Sequence, residues 1–146
     1  MLRVFEAFSG VGSQHMALRN INAHYKIVAT SEIDENAIIS YYFVHKNDNI
    51  MISKVGISEM ISYLVDKGIG DKNKFAKMSI EKIEKLYIAS IYTKNLGNIS
   101  KLNPNNIPNH DIFTYSFPCQ DISSIGTRKG FDKDSGTRLR DRKSVV

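Results

Sequence analysis

The first 45 residues carry two short apolar runs, each followed by a segment with helical spacing. Leu2 to Phe8 is short and apolar and is closed by Gly10 and Gly12, which reads as a buried strand entering a tight turn. Ser13 is placed to cap a helix running through Met16, Ala17 and Leu18 to about Asn20. Tyr25 to Ser31 is β-branched and apolar, a second strand, with Glu32 and Asp34 just past its end. Asn36 to Val44 contains Ala37, Ile38, Ile39, Tyr41, Tyr42 and Phe43 and predicts a helix buried on most sides. Strand–helix–strand–helix order at this spacing predicts an α/β fold with a parallel sheet.

Residues 46–95 break the rhythm. Ile57 to Leu64 has helical spacing that Gly68 and Gly70 end. In Ser79 to Tyr92, Ile80, Ile83, Tyr87 and Ile91 recur at intervals of three and four with lysine and glutamate between them. This predicts a two-helix insertion with Gly68 to Lys77 as its exposed link. Asn103 to Asn109 is a polar connector containing proline. His110 to Ser116 predicts a third strand running into Phe117-Pro118-Cys119-Gln120-Asp121, and Ser123 to Gly136, with three glycines, predicts a mobile loop.

Composition narrows the class. With 42% hydrophobic and 24% charged residues in 146, the chain has the makings of a core and is not a disordered tail. The net charge of +5 and pI near 9.3 tolerate a polyanionic partner without requiring one. The basic excess lies in residues 50–95 and 139–146, while residues 1–49 are net acidic. A single cysteine, Cys119, excludes an intramolecular disulfide and a multi-cysteine zinc site. No run of 18 apolar residues exists to span a membrane, and Met1 to Gly10 is too short and too acidic at Glu6 for a secretory signal. A soluble, cytoplasmic, monomeric chain is expected.

Three places could carry chemistry. In Phe8-Ser9-Gly10-Val11-Gly12, glycines after a first strand allow a tight turn and close approach to a ligand, and the next helix offers free N–H groups. An ordinary glycine turn would look the same. A dinucleotide site wants a third glycine where His15 stands, which counts against NAD or FAD. Glu32 follows the second strand at the distance where an acid accepts from ribose hydroxyls, with Ile33 beside it to pack on an adenine face; the alternative is a solvated carboxylate. Cys119, fixed behind Pro118 and followed by Gln120, is placed as a nucleophile, against the alternative of a small inert hydrophobe. The polar neighbours Asp121, Ser123 and Ser124 argue against full burial. His15, His24, His45 and His110 lack metal spacing and read as surface or satisfied structural residues. The lysines of 54–94 read as a solvated face, and Arg128, Lys129 and Lys133 could meet phosphates from the glycine-rich loop.

In this order, FSGVG, SEID and SFPCQDIS resemble the cytosine-5 DNA methyltransferases of bacteria and phages, over roughly residues 1–138. The resemblance implies a Rossmann-like S-adenosylmethionine-dependent methyltransferase fold, truncated and carrying a helical insertion at about 46–95. It also implies DNA (cytosine-5-)-methyltransferase activity in a setting such as restriction–modification, with double-stranded DNA as partner and no metal. Phe8, Ser9, Gly10, Val11 and Gly12 match the family's S-adenosyl-L-methionine loop, Glu32 its ribose-binding acid and Ile33 the adenine-packing neighbour. Gly97-Asn98-Ile99 resembles a third cofactor motif whose central residue is usually aspartate; here it is Asn98. Pro118-Cys119-Gln120 matches the catalytic motif with Cys119 as nucleophile, and Ser123, Gly126, Arg128 and Lys129 fall in the loop that closes over a flipped cytosine.

The family's downstream Glu-Asn-Val motif, Arg-x-Arg motif and target-recognition domain have no counterpart after Cys119. The expectation is therefore an N-terminal part of a catalytic domain, inactive alone. Rival readings are a non-catalytic S-adenosylmethionine or nucleic-acid-binding module, half of a split enzyme completed by a second chain, and, more distantly, a nicotinamide oxidoreductase. The end of the chain, Asp141 to Val146 (DRKSVV), can be spelled by a widely used sequencing-adapter string followed by a stop codon, so residues 139–146 are expected to be a non-native tail. Sequencing the source DNA with adapter-free reads should replace these codons and continue the reading frame; a genomic stop directly after Val146 would refute this.

Overall fold

A computed structural model of the protein describes residues 1–46 and 55–116. The chain divides into two compact units, Met1–Thr114 and Tyr115–Val146, and only Tyr115 and Ser116 of the second are among the described residues. The first is a mixed α/β unit. Its elements follow the order β1 (Leu2–Ala7), α1 (Ser13–Asn20), β2 (Tyr25–Ser31), α2 (Glu35–His45), α3 (Ile57–Asp66), α4 (Lys72–Ala76), α5 (Ile80–Tyr92) and β3 (Ile112–Tyr115), with short 3-10 turns at Ile99–Lys101 and Pro104–Asn106 before β3.

The sheet is small and parallel, in the order β2-β1-β3. Central β1 buries Val4, Phe5, Glu6 and Ala7 in succession, as a strand covered on both faces must. It pairs with β2 from Leu2↔Tyr25 to Ala7↔Ser31, with a register shift after Val4. On its other edge Arg3 and Asp111 hold β3 in place. The Asp111 N–H donates to the Arg3 carbonyl at 2.8 Å, and the Arg3 N–H and guanidinium both donate to the Asp111 carboxylate. The guanidinium holds the Asp111 carboxyl well below the usual carboxylate range. One step inward Phe5 stacks on Phe113 with ring centroids 5.3 Å apart. Phe5, Ala7 and Ala29 form a core under the sheet, backed by Leu96, Ile99 and Phe113.

The larger core lies among the helices. Ile38 and Tyr42 of α2, Met60 and Leu64 of α3, Phe75 of α4, and Ile83, Leu86 and Ala89 of α5 pack with Ile69. The α2 helix is buried on one face only: Ile38, Tyr41, Tyr42 and His45 turn inward, while Phe43 and Val44 stay about half exposed. This corrects the expectation of a helix buried on most sides. Two strands' worth of sheet and one bundle cannot surround it, so the 3.6-residue period selects one stripe.

Three further expectations change. Ser13 is the first residue of α1 rather than its cap; Gly12, in the left-handed conformation, takes the cap position with no side-chain bond. The expected link from Gly68 to Lys77 is not an exposed connector. It carries α4, capped by the Asp71 side chain accepting from Lys74 N–H at 2.7 Å, and it buries Ile69 and Phe75. Its start is a Schellman turn: Gly68 N–H returns to the Val65 carbonyl and Ile69 N–H to the Leu64 carbonyl, which drives Ile69 into the core. The buried face of α5 is Ile83, Leu86, Ala89 and Ser90, whereas Ile80 is exposed and Ile91 lies at the surface. Two of the lysines expected on a solvated face meet Glu35 at the start of α2, Lys74 at 3.5 Å and Lys82 at 3.3 Å, and tie α4 and α5 to it. No helix among the described residues is long and apolar enough to cross a membrane.

Because Phe75 is fully buried although it sits in a polar segment, Phe75→Ala should cost about 3–5 kcal/mol. Lys72→Ala, on the exposed side of the same turn, should cost less than about 0.5 kcal/mol. Urea denaturation of both variants checks this.

Candidate functional site

The glycine turn joins β1 to α1 and bends three times through left-handed backbone, at Phe8 (φ 51°), Gly10 (φ 54°) and Gly12 (φ 82°). The two glycines serve different ends. A Cβ on Gly10 would meet nothing within 4 Å, so the backbone there faces open space. A Cβ on Gly12 would fall 2.7 Å from Tyr41 Cε2 and 2.9 Å from His45 Cδ2, so α2 fills the far side completely. Ser9 is buried and ties the turn to β2, its N–H donating to the Ser31 carbonyl at 3.3 Å, while Gly12 N–H closes the turn on the Ser9 carbonyl at 2.8 Å. Val11 is about half exposed at the apex.

Glu32 comes to the same place from the end of β2. Its Oε2 accepts from Gly10 N–H at 2.9 Å, and its Oε1 accepts from the backbone N–H groups of Ile33 and Asp34 at 2.8 and 3.0 Å. Asp34 caps α2 through Ala37 N–H. Ile33 stands 47% exposed beside the carboxylate, an apolar surface that nothing in the unit covers. The glycine turn, Glu32 and Ile33 are thus brought together as the sequence led one to expect.

Asn95 completes this corner and is the residue that sequence reasoning missed. It is fully buried, and its amide acts as a substitute strand edge: Oδ1 accepts from the N–H of Glu32 and of Gly97, each at 3.0 Å, and Nδ2 donates to the Glu32 carbonyl at 3.1 Å. The α5 helix delivers it there by ending in a second Schellman turn. Lys94 takes the left-handed position (φ 51°) that usually belongs to glycine, and Asn95 N–H returns to the Ser90 carbonyl. Asn95 then bridges Thr30 in parallel, outside β2. A lysine in place of glycine at the helix end hid this turn from pattern reading. Asn98, the residue after Gly97, spends its side-chain oxygen on Ser100 N–H at 2.9 Å and its own N–H on the Lys67 carbonyl at 2.8 Å. Ile99 packs against the sheet core. Pro118, Cys119, Gln120, Ser123, Gly126, Arg128, Lys129 and Lys133 lie outside the described residues, as do residues 139–146.

Behind the glycine turn lies a polar cluster that the sequence reading divided among separate elements. Glu6, fully buried in β1, accepts from the Tyr41 hydroxyl. That hydroxyl has one proton and gives it to Glu6, so at 2.9 Å it accepts from His15 Nδ1–H. The His15 ring stacks on His45 with centroids 4.0 Å apart and planes 10° from parallel. His45 is buried rather than at the surface, and its Nε2 donates to the Val11 carbonyl at 3.0 Å. Burial pushes the Glu6 carboxyl and the Tyr41 hydroxyl up, and burial first, then its neighbour His45, lowers His15 to about 4. His45 is also lowered, chiefly by burial. His15, Tyr41 and His45 of this cluster also line a cleft of about 470 Å³, together with Arg19, Lys26 and Lys94, and none of the predicted site residues line it. Among the described residues no group of His, Cys, Asp and Glu is arranged to hold a metal ion.

Known proteins resemble this sequence. The profile of the C-5 cytosine-specific DNA methylase family matches residues 64–141. The chain is 42% identical to the type II methyltransferase M2.ScrFI of Lactococcus lactis subsp. cremoris, across 94% of its own length and 41% of the relative's. It is 35% identical to the orphan methyltransferase M.SssI of Spiroplasma monobiae, across 94% and 39%. It is 32% identical to the orphan methyltransferase M.Rho11sI of Bacillus phage rho11s, across 93% and 18%. The chain spans about two fifths or less of these curated relatives.

The cluster gives the fold a titration signature. Unfolded His15, near 6.5, takes up a proton as the pH falls from about 6.5 towards 4, and folded His15 does not, so its contribution is present above that window and is lost through it. Glu6, raised instead, slopes the other way, but it is common to the unmodified chain and to His15→Phe. The stability advantage of the unmodified chain over His15→Phe should therefore shrink between pH 7 and pH 4.5, by on the order of 1 kcal/mol after solvent screening. Urea titrations of both proteins across that range measure it.

Proposed function

The chain belongs to the C-5 cytosine-specific DNA methylase family, and from that premise we propose that it is the cofactor-binding part of an enzyme that methylates C5 of cytosine in double-stranded DNA. The methyl donor is S-adenosyl-L-methionine, which supplies an electrophilic methyl group when bound. The observation that carries this reading is the 2.9 Å bond between Gly10 N–H and Glu32, which joins two motifs 22 residues apart on adjacent parallel strands. A Rossmann-like sheet is supported by strand order. With the Asn95 bridge outside β2, the order Asn95, β2, β1, β3 follows the first half of a doubly wound sheet, whose ligands sit at the carboxyl ends of the strands.

The residues present fit the donor. Gly10 leaves open space for a ligand to approach the backbone, and Ile33 offers an exposed apolar face. Three backbone donors fix the Glu32 carboxylate, two on Oε1 and one on Oε2, so the second lone pair of Oε2 remains to accept from a ribose hydroxyl. Phe8, Ser9, Val11 and Gly12 shape the turn that carries Gly10, and Asn98 and Ile99 are assigned to the cofactor from the resemblance of Gly97-Asn98-Ile99 to the family's third motif. Cys119, between Pro118 and Gln120, is assigned the nucleophile's role. Its thiolate adds to C6 of the flipped cytosine, which makes C5 electron-rich. After methylation a base takes the C5 proton, the C6–S bond breaks and the thiolate returns. Ser123, Gly126, Arg128 and Lys129 are assigned to the loop against the DNA. A cytoplasmic location follows from the same reading.

Turnover further requires the family's Glu-Asn-Val glutamate, which is not among these 146 residues. Calorimetry should show the 146-residue chain binding S-adenosylmethionine, with binding unchanged by Cys119→Ser and weakened about tenfold or more by Glu32→Ala. These 146 residues alone should transfer little or no labelled methyl to DNA. Failure to bind the methyl donor, or preferential binding of NAD, would refute the reading.

A further inference from the structure

Gly12 is pressed against an imidazole that the reaction as written does not use. His45, the last residue of α2, is buried, and its Nε2 lies 3.0 Å from the Val11 carbonyl at the apex of the glycine turn. A carbonyl only accepts, so Nε2 carries the proton, and Nδ1 is left buried without a hydrogen-bond partner. A buried acceptor given up in this way costs stability, so something fixes the ring in this orientation against that cost. Three contacts do so. His15 stacks flat on one face. Tyr41, one helical turn earlier on α2, packs 4.5 Å away and is itself anchored to buried Glu6 in the neighbouring strand. The backbone of His45 is held from α5, whose Tyr92 hydroxyl donates to its carbonyl at 3.2 Å. The result is a rigid post that rises from the helical core and ends on the turn, on the side of Gly12 opposite to the open face at Gly10.

The geometry points to His45 as a positioning residue for methyl-donor binding: its Nε2–H holds the Val11 carbonyl so that Gly10 presents its backbone to the ligand, and the missing side chain at Gly12 makes the room for it. The inference rests on the cofactor reading above only for the identity of the ligand. His45 touches no part of that ligand in this assignment. It acts through the turn, and Tyr41 and Glu6 act through His45. The helical segment α3 to α5 thereby gains a part in the site, because Tyr92 sets the height of the post.

The test separates the post from the ligand. In the unmodified chain, 15N spectra of the imidazole should show neutral His45 in the Nε2–H form; the Nδ1–H form would overturn the inference, since Nε2 could then donate nothing to Val11. Amide exchange of Gly12, whose N–H closes the turn on Ser9, should accelerate about tenfold in His45→Leu while β1 and α3 amides stay protected. His45→Gln, whose amide N–H reaches the place of Nε2, should restore the rate. S-adenosylmethionine affinity should follow the same order, falling about tenfold in the leucine variant and recovering in the glutamine variant. An unchanged Gly12 rate in a folded leucine variant, or a glutamine variant no better than leucine, would overturn the inference. Should His45→Leu fail to fold, the tautomer in the unmodified chain and the glutamine variant still decide it. If the unmodified chain binds no S-adenosylmethionine while tautomer and exchange behave as stated, the post stands and the cofactor reading is what fails.

Discussion

Gly12 has no space for a side chain and no freedom to be right-handed, and much of the first unit is arranged around that fact. The backbone must turn out of β1, close on Ser9 and start α1 within the five residues Phe8 to Gly12, and the rings of Tyr41 and His45 occupy the volume behind it. Those rings stay in place because the buried stripe of α2 has two partners. Glu6 of the sheet holds Tyr41, and the bundle of α3, α4 and α5 holds Ile38 and Tyr42. A turn that looks like loose glycine in isolation is therefore backed by both cores. Of the turn's two glycines, only at Gly10 would a side chain meet open space, and there the backbone N–H is held by Glu32.

This explains why some of the fold was legible in the sequence and some was not. The β2 strand follows from a local apolar run and was placed to the residue, and β1 and α1 were placed nearly so. The glycine turn and Glu32 meet because β1 and β2 are parallel neighbours, which the strand–helix–strand order already implies. Contacts that depend on tertiary context were hidden. Phe75 sits among lysines and asparagine, yet it is swallowed by a core assembled from three other helices. Lys94 takes a glycine's conformation because Asn95 beyond it is so well bonded. His15 and His45, thirty residues apart, reveal their stacking only when two helices converge. A search for metal spacing finds nothing in them because they bind each other and the backbone.

Asn95 and Glu32 also show how a short segment can do the work of a strand. One side-chain amide satisfies both backbone groups of Glu32 and the N–H of Gly97, and the Ser31 hydroxyl donates to the Gly97 carbonyl at 2.7 Å. Gly97 in turn approaches the Lys67 backbone so closely that a Cβ there would lie 2.7 Å from the Lys67 carbonyl carbon. The helical segment after α2 is thus pinned at Lys67 as well as at Asn95.

Within this unit the sheet's central strand is made before both of its neighbours, and one of them follows only after all the helices. Arg3 and Asp111 are 108 residues apart. During synthesis β1 can pair early with β2, but its other edge waits until nearly the whole unit has been made. Until then a row of unpaired backbone groups beside Val4 and Phe5 is open to any extended chain nearby. Non-local pairing of this kind slows folding. The helices that intervene can begin their own core in the meantime, so nascent chains of this protein would carry a settled helical part beside an unfinished sheet, and crowding of such chains on one messenger is where they would first stick together.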